Sequence, residues 1–416
     1  MKNKAGKKHI IVIADDITGA AEIAGIAFQH GLPVRLLCSS LSITNPKDVV
    51  SRETEVTVIA TDTRSMTEAE AVVETRQLTK LITSFFTPPL GGWGAGVILF
   101  KKTDSALRGH VVAELEVLLH ETSYEHALYL PANPSKGRII KDGIYYIGDK
   151  PIAETDFSFD PEFPAVSSKM AERFPFCEEK NIFWHDVTSE EDIQQAIAQA
   201  DDRTLFAGAA DLFTTLLSNR EGLGWPSVWR KEEEDGEKGK EVENADEGDK
   251  AGIFKPHGSA LIVCGSTQSK PLNLGIPVCP MPLEVYDQQT DAEEWITSLI
   301  EQLRPSSSPS LNREGWGGSS HSLILTIPYR HRTGKEVAIY LRETMGEVIR
   351  RLVAVYPPQE LIIEGGSTAW QILQQLGWHE FDITDEIAPG VVRMHAVGTH
   401  THVTMKPGSY PWTIFR

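Results

Sequence analysis

Asp15 and Asp16 stand side by side in a turn directly after the apolar run HIIVIA. Carboxylates placed there can accept a proton, bind a substrate hydroxyl or hold Mg²⁺. Either could instead cap the helix that follows. Arg64 lies beside Asp62 and Ser65 in a second turn. Its planar guanidinium matches a carboxylate, or makes an ordinary surface ion pair. Lys101, Lys102, Thr103, Asp104, Ser105 and Arg108 crowd a third, at a strand-to-helix junction where helix N–H groups favour an anion. Such a cluster suits an acidic, hydroxylated small molecule, although Ser105 or Asp104 could be the helix cap. The loop PANPSKGR at 131–138 adds two prolines and two cations. It reads either as a rigid closure over the acid or as a plain connection.

The second half of the chain offers a different chemistry. Gly265-Ser266-Thr267 and Gly365-Gly366-Ser367-Thr368 each follow a strand-like run, and Lys406-Pro407-Gly408 follows the last one. Glycines let the backbone approach a phosphate, and a helix start supplies N–H donors. Together the three turns read as a nucleotide cleft. G-x-x-x-x-G-K-[ST] is absent, which excludes an ordinary P-loop, and so are G-x-G-x-x-G, G-x-S-x-G and His-Glu-x-x-His. His395, His400 and His402 lie close in sequence and read as strand or surface histidines rather than metal ligands.

The elements that must position these residues follow one pattern: an apolar β-rich run, a polar turn, then a helical period. Strands are predicted at 9–14, 56–60, 97–100 and 126–132 in the first half, and near 259–264, 322–327, 361–364 and 401–405 in the second. Thr67 and Glu70 predict a capping box at one helix start, and a long helix is predicted over 335–355. Strands alternating with helices imply two α/β domains, each with a mainly parallel sheet flanked by helices. Ligands collect at the carboxyl ends of such strands, where all the polar turns lie, so the active site is expected in the cleft between the domains. The division expected is 1–229, an acidic flexible linker at 230–252, and 253–416. The linker is dominated by Glu, Asp and Lys and buries too little to order itself. The stretch 305–320, rich in Ser, Gly and Pro, reads as a surface insertion.

Bulk composition narrows the classes. With 41% apolar and 24% charged residues the chain is a globular protein. A formal net charge of −18 argues against nucleic acid or an anionic membrane as partner. The four cysteines show no Cys-x-x-Cys spacing and fit a reducing compartment. The basic N-terminus carries too short an apolar run for a signal peptide or a membrane span, so a cytoplasmic location is expected. A homodimer is compatible with the sequence, which does not fix the oligomeric state.

ADDITGAAE at 14–22, DTRS at 62–65 and KKTDSALRGH at 101–110 together resemble the four-carbon acid sugar kinase family. PANPSKGR, PIAETDFSFDPEFP at 151–164, and the later GST, GGST and KPG turns extend the resemblance over nearly the whole chain, in order. The resemblance implies an N-terminal sugar-acid domain and a C-terminal nucleotide domain. It implies ATP-dependent phosphorylation of tetronates such as threonate, erythronate or 3-oxo-tetronates; in phosphoryl transfer of this kind Mg²⁺ is expected to bridge the ATP phosphates. Asp15, Asp16, Arg64, Lys102, Thr103, Asp104 and Ser105 would hold the acid, with Asp16 or Asp104 accepting the hydroxyl proton. Ser266, Gly365, Gly366, Ser367, Thr368 and Gly408 would hold ATP. Ser367 stands where the family commonly has Glu, and Ser409 and Pro411 interrupt a closing segment that is richer in glycine elsewhere. Two other activities are compatible with the residues: a non-catalytic sugar-acid binding protein, and an ATP-independent isomerase or aldolase acting on hydroxy acids.

Overall fold

The computed structural model describes residues 9–38, 43, 45–50, 54–85, 97–160, 162–175, 177–218, 258–265, 274–304, 322–328, 334–408 and 412. The expected linker at 230–252, the insertion at 305–320, Ser266, Ser409 and Pro411 lie outside the described residues.

The first half supplies β1 (His9–Ala14), β2 (Val34–Cys38), β3 (Val56–Ala60), β4 (Val97–Lys102) and β5 (His126–Leu130). After β5 come β6 (Arg138–Lys141), β7 (Ile144–Ile147) and β8 (Lys150–Pro151), then β9 (Ile182–Phe183) and β10 (Thr204–Gly208). The second half supplies β11 (Ala260–Cys264), β12 (Val278–Pro280), β13 (Leu323–Thr326) and β14 (Glu360–Glu364). It closes with β15 (Glu380–Ala388), β16 (Val391–Ala396) and β17 (His402–Lys406).

Strands β6, β7 and β8 form a small antiparallel sheet, and the other strands form one sheet of 14. Its order is β12-β13-β11-β14-β17-β16-β15-β2-β3-β1-β4-β10-β5-β9. Pairings within each half are parallel, except where β15, β16 and β17 run as an antiparallel meander. The sheet is mainly parallel and flanked by helices, as the alternation of strands and helices predicts. Strands β1, β3 and β4 are buried along their whole length, which explains their unbroken apolar runs. Lys101 and Lys102 are buried as well, so β4 runs two residues further than its apolar letters indicate.

The two halves do not keep separate sheets. β15 pairs antiparallel with β2, Phe381 opposite Leu36, and Arg35 bridges Glu380 at 2.8 Å and Asp382 at 3.4 Å across the seam. The physical reason is an edge: β2 would otherwise present a row of unpaired backbone groups to water. A single cluster of buried apolar side chains accordingly runs through both halves.

Local signals hold where they are strong. The helix Glu68–Ser84 opens with the Thr67/Glu70 capping box, both hydrogen bonds formed, and the long helix spans Lys335–Val355. Among the described residues, no helix is long and apolar enough to cross a membrane. All four cysteines are buried free thiols.

Phe381 is fully buried in the seam strand. Phe381→Ala should lower stability by about 3–5 kcal/mol through the cavity it leaves. Urea unfolding followed by circular dichroism measures this, and a loss below about 1 kcal/mol would mean the seam is not packed as described.

Candidate active site

The loops after β1, β3 and β4 converge on one guanidinium. Arg64 donates from Nε to Asp15 Oδ2 at 2.9 Å and from Nη1 to Asp16 Oδ2 at 3.0 Å, and its Nη1 lies 3.7 Å from Asp104 Oδ1. The Arg64 backbone N–H also donates to the Asp15 carbonyl, so the turn after β3 is tied to the turn after β1 twice over. Asp16 is the N-cap of the helix Ile17–Gln29: its Oδ1 accepts from the Gly19 N–H at 2.9 Å, and Oδ2 accepts from the Thr18 hydroxyl. Capping and ion pairing, alternatives in the sequence, are both performed by Asp16.

Asp104 is gripped from the other side. Arg108 donates Nε to its Oδ2 at 2.8 Å and Nη2 to its Oδ1 at 3.1 Å, and the Ala106 and Arg108 N–H groups add to Oδ2. Asp104 thus caps the turn after β4 while it binds two arginines. Lys102 Nζ donates to the Thr103 carbonyl and sits 3.3 Å from Glu22 Oε2, and Lys136 takes the other oxygen of Glu22. Lys101 turns to the opposite face of β4 and pairs with Glu114, both about 1% exposed. Ser105 receives a hydrogen bond from Arg138, and its carbonyl accepts from the Tyr145 hydroxyl at 2.5 Å.

These contacts set the charge states. Burial works against ionised Asp104, yet Arg64 and Arg108 outweigh it and hold the carboxyl far below the usual carboxylate range. Burial likewise opposes ionised Asp16, and Arg64, the Thr18 hydroxyl and Lys102 pull it below that range. Asp15 goes the other way: burial raises it, and Arg64 offsets only part of the rise. Arg64 is held well above its ordinary value, because its three carboxylates overcome the cost of burial. Asp62 faces a cavity of about 610 Å³ that it shares with Arg342 from the second half. Burial pushes its carboxyl up to about 7, against the pull of the Ser65 hydroxyl.

In the second half, Gly365 caps the helix Gly366–Leu376 with φ +93°, a conformation that L side chains rarely adopt. Its N–H donates to the Lys406 carbonyl at 2.9 Å, so the GGST turn and the KPG turn are neighbours. Ser367 is exposed and Thr368 is buried at the helix start, and Gly408 is exposed with open space around it. Beneath the turns Lys406 and Glu364 form a fully buried pair at 2.8 Å, and Lys406 lies over the Trp412 ring. The two clusters meet: a Cβ on Gly366 would come within 2.9 Å of Thr18 Cγ2, the residue whose hydroxyl binds Asp16. Asp15, Asp16, Arg64, Lys102, Thr103, Asp104 and Ser105 therefore form one group, and Gly365, Gly366, Ser367, Thr368 and Gly408 a second group against it.

Sequence reasoning singled out neither Thr18 nor Glu22, although both lie inside the ADDITGAAE motif. The buried Asn133, whose Oδ1 accepts from the Asp211 N–H, was also missed; its place in PANPSKGR was the available signal.

Fold and site together define a two-part α/β protein in which an ion-paired polar cluster abuts a glycine turn. A sugar-binding N-terminal domain matches residues 10–175, and a nucleotide-binding C-terminal domain matches residues 322–410. The chain thus carries a sugar-binding domain followed by a nucleotide-binding domain, and it is similar to proteins named as D-threonate, 3-oxo-tetronate and D-erythronate kinases. A D-threonate kinase of Bordetella bronchiseptica is 30% identical over 165 residues, which is 39% of this chain and 38% of that protein. The match to that relative thus spans well under half of its length. A 3-oxo-tetronate kinase of Haemophilus influenzae is 23% identical over 435 residues, 96% of each chain. A solved structure from Salmonella typhimurium superposes with a TM-score of 0.67 at 17% identity, covering 98% of both chains. One from Haemophilus influenzae gives 0.61 at 19%, covering 97% of this chain and 98% of that one. These two establish the fold.

Asp62 generates a pH prediction. Its carboxyl is raised from 3.8 to about 7 in the folded chain, so folding takes up a proton between those values and stability falls as pH rises across them. Asp62→Asn should remove that decline and leave the variant more stable than the parent at pH 8. Thermal melts at pH 5 and pH 8 measure it; an unchanged difference between the two pH values would show that Asp62 does not titrate there.

Proposed function

We propose that the protein transfers the terminal phosphoryl group of ATP to a hydroxyl of a four-carbon sugar acid of the threonate, erythronate or 3-oxo-tetronate type. The observation that carries this reading is the contact between Thr18 and Gly366, which sets the carboxylate–arginine cluster against a phosphate-compatible glycine turn. Relatives named as D-threonate, 3-oxo-tetronate and D-erythronate kinases support it. Residues 1–229 bind the acid in this reading, 253–416 bind the nucleotide, and 230–252 joins them.

Phosphoryl transfer depends on positioning and charge neutralisation more than on covalent help. Arg64 fixes Asp15 and Asp16 relative to each other, so the acceptor hydroxyl meets a preset pair of carboxylates. Asp16 lies at the junction of the two halves and takes the proton of the attacking hydroxyl. Asp104, whose two oxygens are taken up by the Arg108 fork and the Ala106 and Arg108 N–H groups, acts as an anchor rather than as a base. Lys102, Thr103 and Ser105 offer donors to the acid's oxygens. Gly365, Gly366, Ser367 and Thr368 present the helix start to the phosphates beside Gly408, and Ser266 is assigned to the nucleotide from the sequence alone.

Mg²⁺ fits the donor chemistry here without a dedicated cage. Among the described residues no group of three His, Cys, Asp or Glu side chains is arranged for a metal. Mg²⁺ commonly uses one or two carboxylates plus the phosphates themselves, and Asp15 Oδ1 is a buried carboxylate oxygen with no hydrogen-bond partner. Asp15 and Asp16 would hold the ion, which when bound neutralises charge on the phosphate oxygens.

ADP release coupled to NADH oxidation, over a panel of four-carbon acids, tests the assignment. Arg64→Ala and Asp16→Asn should each lower kcat/KM by about 100-fold or more. Near-parental turnover in both variants would sink it. Turnover of an acid without ATP would favour an isomerase or aldolase, and acid binding without nucleotide binding would favour a non-catalytic protein.

A further inference from the structure

The charges around the site can be paired off one by one. Arg64 is surrounded by Asp15, Asp16 and Asp104. Arg108 spends its fork on Asp104 and lies 3.6 Å from Asp160. Lys102 and Lys136 share Glu22, and Lys101 is matched by Glu114. Of the cations on β4, on the loops after β3, β4 and β5 and at the first position of β6, Arg138 alone has no described carboxylate within 4 Å. Its side chain is only partly exposed, and it donates to the Ser105 hydroxyl. A half-buried guanidinium with no counter-charge is costly unless something supplies the anion.

Its mounting is rigid. Asn133 and Arg138 exchange backbone hydrogen bonds across the intervening turn, Asn133 N–H to the Arg138 carbonyl at 2.7 Å and Arg138 N–H to the Asn133 carbonyl at 3.1 Å. The Phe157 ring lies between two arginines, 5.8 Å from Arg138 Cζ and 5.6 Å from Arg108 Cζ. An aromatic ring against a guanidinium supports its plane and leaves the N–H edges available, which is the geometry a carboxylate meets with two parallel hydrogen bonds. Tyr145, buried behind Ser105 and bonded to the Ser105 and Pro131 carbonyls, closes the back of this corner.

We propose that Arg138, assisted by the Ser105 hydroxyl, receives the carboxylate of the acid substrate and thereby sets the preference for acids over neutral polyols. The inference rests on the kinase reading above and deepens it: Arg64, the other candidate fork, is already saturated by the protein's own carboxylates.

The full-length chain tests this with steady-state ADP release, using threonate and erythronate as acids and the matching neutral tetritols, threitol and erythritol. Arg138→Gln should raise KM for the acid about 100-fold while KM for ATP stays within twofold, and should erase most of the acid-over-tetritol preference. Arg138→Lys, which keeps the charge but loses the fork, should recover part of it. Circular dichroism melts establish that each variant folds; if Arg138→Gln does not, the Lys variant and Ser105→Ala carry the same comparison. An acid KM within threefold of the parent's, in a parent that turns the acid over, overturns the role of Arg138 and leaves the kinase reading standing. If the parent releases no ADP with any acid, the kinase reading fails, and calorimetric titration with erythronate then decides for Arg138. Binding lost in the variant supports its role; binding equal in both chains, or absent from the parent, overturns it.

Discussion

The guanidinium of Arg64 among Asp15, Asp16 and Asp104 is the interaction on which the rest depends. Three carboxylates this close repel one another, and burial penalises each charge further. One cation on a separate loop makes the grouping tolerable. It also fixes geometry, because a planar fork accepts its partners only in certain directions. The turns after β1, β3 and β4 are thus held in one arrangement by a contact that contributes little net stability for its size. Removing the cation would leave several buried charges uncompensated, a far larger effect than the worth of any single pair.

A second layer of pairing surrounds the first. Glu22 neutralises Lys102 and Lys136, and in the other half Glu364 neutralises Lys406. From the second half, the Glu386 carboxyl is raised by burial where it faces Glu22 and Lys136, and it accepts from the Gly390 N–H at 3.0 Å. The two halves therefore touch through polar groups at the same sheet edge where their glycine and aspartate turns meet. Self-neutralisation keeps the site's field close to balanced within a strongly acidic chain, so any anion that enters is recognised by local geometry rather than by bulk attraction.

How much of this was legible in the sequence follows from which forces are local. Runs such as HIIVIA and VTVIA announce themselves because a parallel strand buried on both faces needs apolar residues throughout. The Thr67/Glu70 box is legible because both partners lie within one turn of chain. The polar cluster was legible as composition, since Asp15, Asp16, Arg64 and Asp104 each follow a strand. Who pairs with whom was not: Arg64 could be a fork for a ligand or for its own protein, and only packing decides between them. β15 and β16 escaped because EFDITDEIA and VVRMHA mix charge with alternating apolar residues, as an antiparallel strand does when it forms the joint between two parallel blocks. The pairing of β15 with β2 joins residues more than 300 positions apart, beyond the reach of any window on the chain.

That joint has a consequence for how the molecule is dissected. An independent module ends in loops, and it can be cut out with its sheet intact. Here a cut between the halves would unzip β2 from β15 and leave each fragment with a raw edge, β2 on one and β15 on the other, both with backbone groups primed to recruit a foreign strand. Each fragment would also strip apolar side chains from a core that is shared. Expressing either half by itself therefore invites aggregation, and a truncated polypeptide released early from synthesis would be a substrate for chaperones rather than a folded half-molecule.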